Sequence, residues 1–221
     1  MAPMDVIALP GLVVRTIAVG SMDNNVYLLT AAAGDQMLID AAAEADGIEA
    51  LLASAADDAD APRLRYLLTT HSHHDHIGAL AAVASAHPGA ATLAGADDAD
   101  AITAATGVPI TRRLQHGEEI ALGELTLDVI GLRGHTPGSV ALTCTLPGAP
   151  TQVFTGDSLF PGGVGNTGRD PQRFNSLFSD VASRIFERFR GDDAVVWPGH
   201  GRPTTLDAER PHLAEWEARG W

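Results

Sequence analysis

The segment His71-Ser72-His73-His74-Asp75-His76 places four ligand-type side chains, His71, His73, Asp75 and His76, within six residues. A neutral imidazole or an ionised carboxylate offers a lone pair, and several converging on one point are what a divalent transition metal needs. A tight loop of mixed turn geometry can aim alternate side chains at one ion and the remainder at a second. A merely polar surface loop is a poor account of four donors at this spacing. Three more donors follow, each after a strand-like run and beside glycine. His135 lies in Arg133-Gly134-His135-Thr136-Pro137-Gly138-Ser139, Asp157 in Phe154-Thr155-Gly156-Asp157-Ser158, and His200 in Trp197-Pro198-Gly199-His200-Gly201. Small neighbours let the backbone bend so that a ligand can face a site closely. Singly, each of the three reads as an ordinary turn; the weight lies in the ordered set.

The elements that must position these loops are short. Leu12–Val19 and Asn25–Ala31 are β-rich runs separated by the turn-forming cluster Gly20–Asn24, which predicts an opening hairpin. Gln36–Ile39 predicts a strand ending at Asp40, Ala43–Ala56 a helix, and Arg65–Thr69 a strand delivering His71. A helix is expected over Ile77–Ala86, closed by His87-Pro88-Gly89. Further strands are expected at Leu125–Leu132, Val140–Leu146, Gln152–Thr155 and Ala194–Trp197. Helices are expected at Pro171–Arg190, with proline in the first turn and Gly191 beyond the end, and at Leu206–Arg219. Strands lead each half and helices are interleaved later, which points to an α/β fold with two sheets covered by helices. Periodicity alone does not separate that layering from other α/β folds.

The chain has 221 residues and a hydrophobic content of 45%, with no linker and no repeat, so one domain over residues 1–221 is expected. The formal net charge of −14 argues against nucleic acid or an acidic membrane surface as partner, since phosphate rewards Lys and Arg. The opening Met1–Gly11 stretch lacks a basic region followed by an apolar one, and no apolar run reaches the ~18 to 20 residues that span a bilayer. Cys144 is the single cysteine, which rules out an intrachain disulfide and fits a reducing compartment; cytoplasm is the expectation. Within the strand-like Leu142–Leu146, Cys144 reads as an inert core thiol. His87, His116 and His212, beside proline or glycine or near the end, read as solvated.

Taken together, the motifs resemble those of metallo-β-lactamase superfamily hydrolases, and within these the glyoxalase II (hydroxyacylglutathione hydrolase) branch. The T-H-x-H-x-D-H signature stands here as Thr70-His71-Ser72-His73-His74-Asp75-His76, with G-H-T-P-G-S around His135, G-D-x-L-F at Gly156–Phe160 and P-G-H-G at Pro198–Gly201. The likeness runs from about Ile17 to about Thr205. It implies an αββα four-layer sandwich with the site at the loop edge between the sheets. It also implies two divalent metal ions, zinc first and iron or manganese as alternatives. His71, His73 and His135 would hold one ion, Asp75, His76 and His200 the other, and Asp157 would bridge them. His74 occupies the variable place and should point away. Asp40, at the end of Leu38-Ile39-Asp40, would support the ligand loop from outside; capping a helix before Ala43 is an alternative role.

The resemblance also narrows the activity. Zinc β-lactamases of the superfamily carry Cys or Ser at the place of Asp157, flavodiiron proteins carry Glu at that of His73, and the nucleases add a basic clamp or cap. Only about twenty residues follow Pro198–Gly201, too few for the helical domain that contacts glutathione in the two-domain branch, so the short branch is the nearer likeness. Two dications about 3.5 to 4 Å apart can share a water and lower its pKa towards ~7, giving a hydroxide nucleophile without serine or cysteine. Asp75 can hold that hydroxide by hydrogen bond. Two ions less Asp75, Asp157 and hydroxide leave about one positive charge, suited to a small anionic substrate. Asn166 and Arg169, in the glycine-rich stretch 161–169, are the candidate substrate contacts; an ordinary long turn is the other reading. The expected reaction is hydrolysis of thioesters such as hydroxyacyl conjugates of a low-molecular-weight thiol. The alternatives are a persulfide dioxygenase using one iron on His71, His135 and Asp157, and a non-enzymatic binding protein, which would be marked by lost ligands; none is lost. Oligomeric state is left open.

Overall fold

A computed structural model describes residues 4–220; Met1–Pro3, which open the N-terminal stretch read above, and Trp221 lie outside the described residues. The first sheet begins as a meander of β1 (Met4–Leu9), β2 (Leu12–Val19), β3 (Asn24–Ala31) and β4 (Asp35–Ile39), each antiparallel to the last. Helix α1 (Ala45–Ser54) then crosses over to β5 (Arg63–Thr69), α2 (Leu80–Ala86) to β6 (Ala91–Gly95), and α3 (Ala99–Thr106) to β7 (Arg112–Leu114). These three strands add in parallel, so the seven strands lie in chain order. A crossover helix is the connection a parallel pair requires.

The second sheet starts with β8 (Glu119–Leu122), β9 (Leu125–Gly131), β10 (Val140–Cys144) and β11 (Gln152–Gly156), all antiparallel neighbours. A two-stranded hairpin, β12 (Leu159–Phe160) with β13 (Gly163–Val164), rises beside it. Helix α4 (Pro171–Val181) returns the chain to β14 (Val195–Pro198), parallel to β11, and β15 (Thr204–Thr205) closes the edge. Helices α5 (Leu206–Glu209) and α6 (Leu213–Arg219) follow.

Side-chain alternation sets the layers. On β3 and β4, Leu29, Met37 and Ile39 face inward and meet Leu127, Val129, Leu142, Phe154 and Trp197 of the second sheet. The intervening Leu28 and Leu38 face outward onto Ile48, Leu51, Leu80, Val83 and Ile102 of α1 to α3. On the far side Ile130, Ala141, Val153 and Val196 meet Leu177, Val181, Ile185 and Trp216. Each sheet is thus covered on both faces, which gives the helix–sheet–sheet–helix order expected, and β3 is buried at every position. Truncating one such core leucine to alanine costs about 2–5 kcal/mol. Cys144 sits in the inter-sheet core, fully buried, and burial pushes its thiol up to about 11, consistent with an inert role.

Several boundaries differ from expectation for identifiable reasons. The helix begun at Pro171 is α-helical only to Val181 and continues as a π-helical stretch over Ala182–Glu187, not to Arg190. Asp170 caps it, accepting from the backbone N–H of Gln172 and Arg173. The closing helix over Leu206–Arg219 is split by a 3-10 turn at Arg210–His212, where Pro211 has no N–H to donate. The helix expected from Ile77 starts at Leu80, because His74–His76 form a 3-10 turn of their own. Strands β1, β6, β7 and β8 and helix α3 were not anticipated. Among the described residues no helix is long and apolar enough to cross a membrane.

Candidate metal centre

Four chain segments meet at one end of the sandwich. The loop after β5 carries His71 to His76, the β9–β10 turn carries His135, and the ends of β11 and β14 carry Asp157 and His200. Donor atoms of His71, His73 and His135 lie within 4.8 Å of one another, as do those of Asp75, His76 and His200. A third trio, His71, His76 and Asp157, satisfies the same limit and links the other two. The Nε2 of His71 is 3.1 Å from Nδ1 of His73 and 3.3 Å from Nε2 of His135. In the other trio the Nε2 atoms of His76 and His200 are 3.2 Å apart, and Nε2 of His200 is 3.4 Å from Asp75 Oδ2. Asp157 lies between them. Its Oδ1 is 3.4 Å from His76 Nε2, and its Oδ2 is 3.5 Å from both His135 and His200.

The outer nitrogens decide what the inner ones can do. His135 Nδ1 donates to the carbonyl of Asn166 at 2.8 Å, His200 Nδ1 to that of Met22 at 2.9 Å, and His76 Nδ1 to Asp40 Oδ2 at 2.9 Å. His71 Nδ1 is 3.0 Å from the Thr70 hydroxyl. With Nδ1 engaged by oxygen, each of these rings turns Nε2 inward, as ligating histidines do; on His71 and His135 it carries a free lone pair, and on His76 and His200 a proton must leave before it can ligate. Burial, reinforced by His76, pushes His71 far below the usual imidazole range, and burial also lowers His73 and His135, so all three are neutral donors. Burial works against charge on Asp157, but His200 and His76 outweigh it and hold the carboxyl well below the usual range. His76 is raised to about 10: burial opposes the proton, and Asp40 and Asp157 retain it. Hydrogen bonding to Asp157 likewise raises His200.

Asp157 Oδ1 is buried with no hydrogen-bond partner. An orphaned carboxylate oxygen among inward-facing imidazole nitrogens is costly on its own and is relieved by a cation. The donor set, nitrogen-rich with two carboxylates, fits divalent zinc, iron or manganese better than calcium or magnesium. Close approach is enforced by glycine at Gly199, where a Cβ would collide with that same Asp157 oxygen.

Asp40 adopts a left-handed backbone, φ 59°, at the end of β4. It caps no helix; α1 is entered through Glu44. Its carboxylate accepts from the Thr70 N–H at 2.7 Å, the Thr70 hydroxyl at 2.8 Å and His76 Nδ1, which is the supporting role expected. His74 points out, its side chain 90% exposed. His116 and His212 are exposed as expected, whereas His87 is half-buried and bonded to Glu49. A cavity of about 430 Å³ opens over the cluster, lined by Met22, His73, His74, Asp75, His135, Asp157, Asn166 and His200. Asn166 therefore joins the site, but Arg169 does not: it lines an adjoining cavity of about 460 Å³ with Phe160 and Arg219, sharing Asn166 with the first.

Two contributors escaped sequence reasoning. Asn24, 2% exposed, donates to Asp75 Oδ2 at 2.8 Å and lies 3.4 Å from His200 Nε2. Asp98 bonds to Ser72, just after His71, and to Thr136 and Gly138, just after His135. Asn24 opens β3 and Asp98 precedes α3, and the available signal, an Asn-Asn or Asp-Asp pair at an element boundary, is too common to single out.

Residues 19–200 match the family model of the metallo-beta-lactamase superfamily. The chain belongs to that superfamily. Among its curated relatives, the chain is 39% identical over 194 residues to a hydroxyacylglutathione hydrolase of Anaeromyxobacter dehalogenans, matching 87% of this chain and 64% of that protein. It is 28% identical over 138 residues to the mitochondrial persulfide dioxygenase of Homo sapiens, matching 62% of this chain and 49% of that one. The chain thus spans under two thirds of the length of both. A solved protein in a di-iron-bound form is 32% identical with a TM-score of 0.65, covering 92% of this chain and 97% of that one. The two-sheet sandwich with its ligand-type loops at one end is this superfamily's fold.

Proposed function

We propose that this superfamily member is a metal-dependent hydrolase working with two divalent ions. His71, His73 and His135 hold one, Asp75, His76 and His200 the other, and Asp157 bridges them. The observation that carries this reading is the set of Nε2 atoms turned inward by outer hydrogen bonds around an unpartnered Asp157 oxygen. Bound there, two such ions supply an acidified water and a Lewis acid for a carbonyl. Asp75, whose Oδ2 is steadied by Asn24, orients the attacking water. Met22, 53% exposed at the mouth, offers apolar contact to an acyl group, and Asn166 a polar one. Among the residues lining the cavity none is placed as a dedicated acid. That suits a leaving group stable as an anion, such as a thiolate of pKa ~8.5, better than an amine. The substrate we favour is a small anionic hydroxyacyl thioester, in line with the hydroxyacylglutathione hydrolase relative.

The test is a panel of lactoyl thioesters, a β-lactam and an activated phosphodiester at neutral pH, with metal content measured in parallel. The highest kcat/KM is expected for a thioester, and chelation abolishes it. A wide margin for the β-lactam or the phosphodiester overturns the thioester assignment. The persulfide dioxygenase relative favours a second reading, one iron on His71, His135 and Asp157. Oxygen uptake with a persulfide, at a stoichiometry limited to one metal, would establish it instead.

A further inference from the structure

Asp98 stands at the entry of α3, where an aspartate ordinarily accepts from the first free backbone N–H groups of its own helix. Here its side chain makes no capping bond. It is 1% exposed, and its carboxylate is turned away from the helix into the seam between the sheets. Oδ2 accepts from the Ser72 N–H at 2.8 Å and from the Thr136 hydroxyl at 2.6 Å, and Oδ1 from the Gly138 N–H at 2.8 Å. Ser72 lies between His71 and His73 on the first sheet's loop; Thr136 and Gly138 follow His135 on the second sheet's turn. The approach is close, since a Cβ at Gly138 would collide with the Asp98 backbone nitrogen. Ser139 completes the knot, its hydroxyl accepting from the Thr136 N–H at 3.1 Å.

The second trio is tied by different residues. Asn24 joins Asp75 to the neighbourhood of His200, and the Asn25 side chain donates to the carbonyls of Pro198 and Gly201. Backbone bonds such as Val140 N–H to the Thr70 carbonyl also cross the seam, but the side-chain ties differ between the trios: Asp98 serves the first, Asn24, Asn25 and Tyr27 the second. We infer that Asp98 is a positioning residue that sets the His71–His73–His135 site alone, by clamping the loop of one sheet to the turn of the other. The inference rests on the metal-centre reading above.

Replacing Asp98 with Asn leaves one carboxylate oxygen exchanged for a donor, so at least one of the three bonds is lost and a buried N–H faces another N–H. Loss of an outer partner bonded to a ligand side chain weakens metal affinity by about 10–100-fold; Asp98 acts through the backbone beside the ligands, so the lower end of that range is expected. The experiment is zinc titration against a chromophoric chelator in two backgrounds. In His200→Ala, where the remaining tight step reports the first site, Asp98→Asn should weaken that step at least tenfold. In His73→Ala, where it reports the second, Asp98→Asn should leave affinity unchanged. A general loosening of the fold would weaken both equally, and that result, or no change in either background, overturns the inference. Thr136→Val, which removes the hydroxyl with its bonds to Asp98 and Ser139 and spares the two backbone bonds to Asp98, carries the same comparison if Asp98→Asn does not fold. A wild-type protein that binds no zinc would overturn the proposed function and this inference together; a split that fails in protein binding two ions overturns the inference alone.

Discussion

Asp40 and His76 share a hydrogen bond of 2.9 Å while exposing only 1% and 0% of their surface. The carboxylate that orients the ring also holds the Thr70 N–H and hydroxyl, so ring and loop are placed by one group. Asp40→Ala should leave those donors buried and unmet, costing about 1–3 kcal/mol per orphaned group. It should also weaken the second metal step by about 10–100-fold. Thermal unfolding of the metal-free protein measures the first effect and chelator competition the second; unchanged metal affinity would remove Asp40 from the support of His76.

Asp157 and His200 should behave differently on removal. Asp157 faces both trios through its two oxygens, so Asp157→Ala is expected to weaken both metal steps and abolish turnover. His200→Ala should mainly affect the step that involves Asp75 and His76. Full activity in the Asp157 variant would contradict the bridging role.

Away from the centre, Asp180 sets a prediction on acid stability. Burial opposes its charge, but the side chain and backbone N–H of Arg133, with Arg184 beside them, hold its carboxyl below the usual range. A depressed folded pKa adds stability that is fully present above the unfolded value of ~3.9 and is lost as pH falls through the lower folded value. Denaturant unfolding followed from pH 7 downwards should therefore steepen below pH ~4, and less so in Asp180→Asn. Arg133 is half exposed, so solvent screens the pair, and the cost of that substitution at pH 7 is set at about 1–2 kcal/mol. Identical acid limbs for the two proteins would remove Asp180 from the acid response.

Cys144 should resist thiol reagents in the native state. The thiolate is the reactive form, and this thiol is both inaccessible and raised to about 11. Labelling at pH 8 is expected only as the chain unfolds, so its rate follows the opening of the inter-sheet core. Rapid labelling under native conditions would place the residue outside that core.

The site's donors were legible because His and Asp at such spacing have few other uses, and each sits where a strand ends. Asp40 was half legible: its support of the loop was expected, its left-handed backbone was not. Asn24 and Asp98 could not be read, since their importance arises from residues 51 and 26 positions away, Asp75 and Ser72, brought near only by packing. The fold's outer pieces were missed for a local reason. Residues 91–106 are rich in Ala, Thr and Asp, with little contrast between strand and helix propensity, and β6 and α3 take their form from the sheet they join. Asn166 and Arg169 were placed by proximity in sequence to Asp157, but after the hairpin β12–β13 only Asn166 reaches the cavity over the cluster, while Arg169 lines the adjoining one.

The first four donors come from one sheet and the last three from the other, and the span between His76 and His200 is 124 residues. During synthesis the His71–His76 loop emerges first and waits for β9 to β14 before its partners exist. At roughly 5–20 residues per second, the ribosome holds that interval at about 6–25 s. Throughout it the nascent chain is an incomplete chelator, able to bind cations loosely and release them. On the proposed function, tight capture would begin only when the second sheet docks, and the metal would be selected by the finished enclosure and whatever the cell then offers. Metal supplied at that late moment, and not during elongation, should govern which ion the mature protein retains.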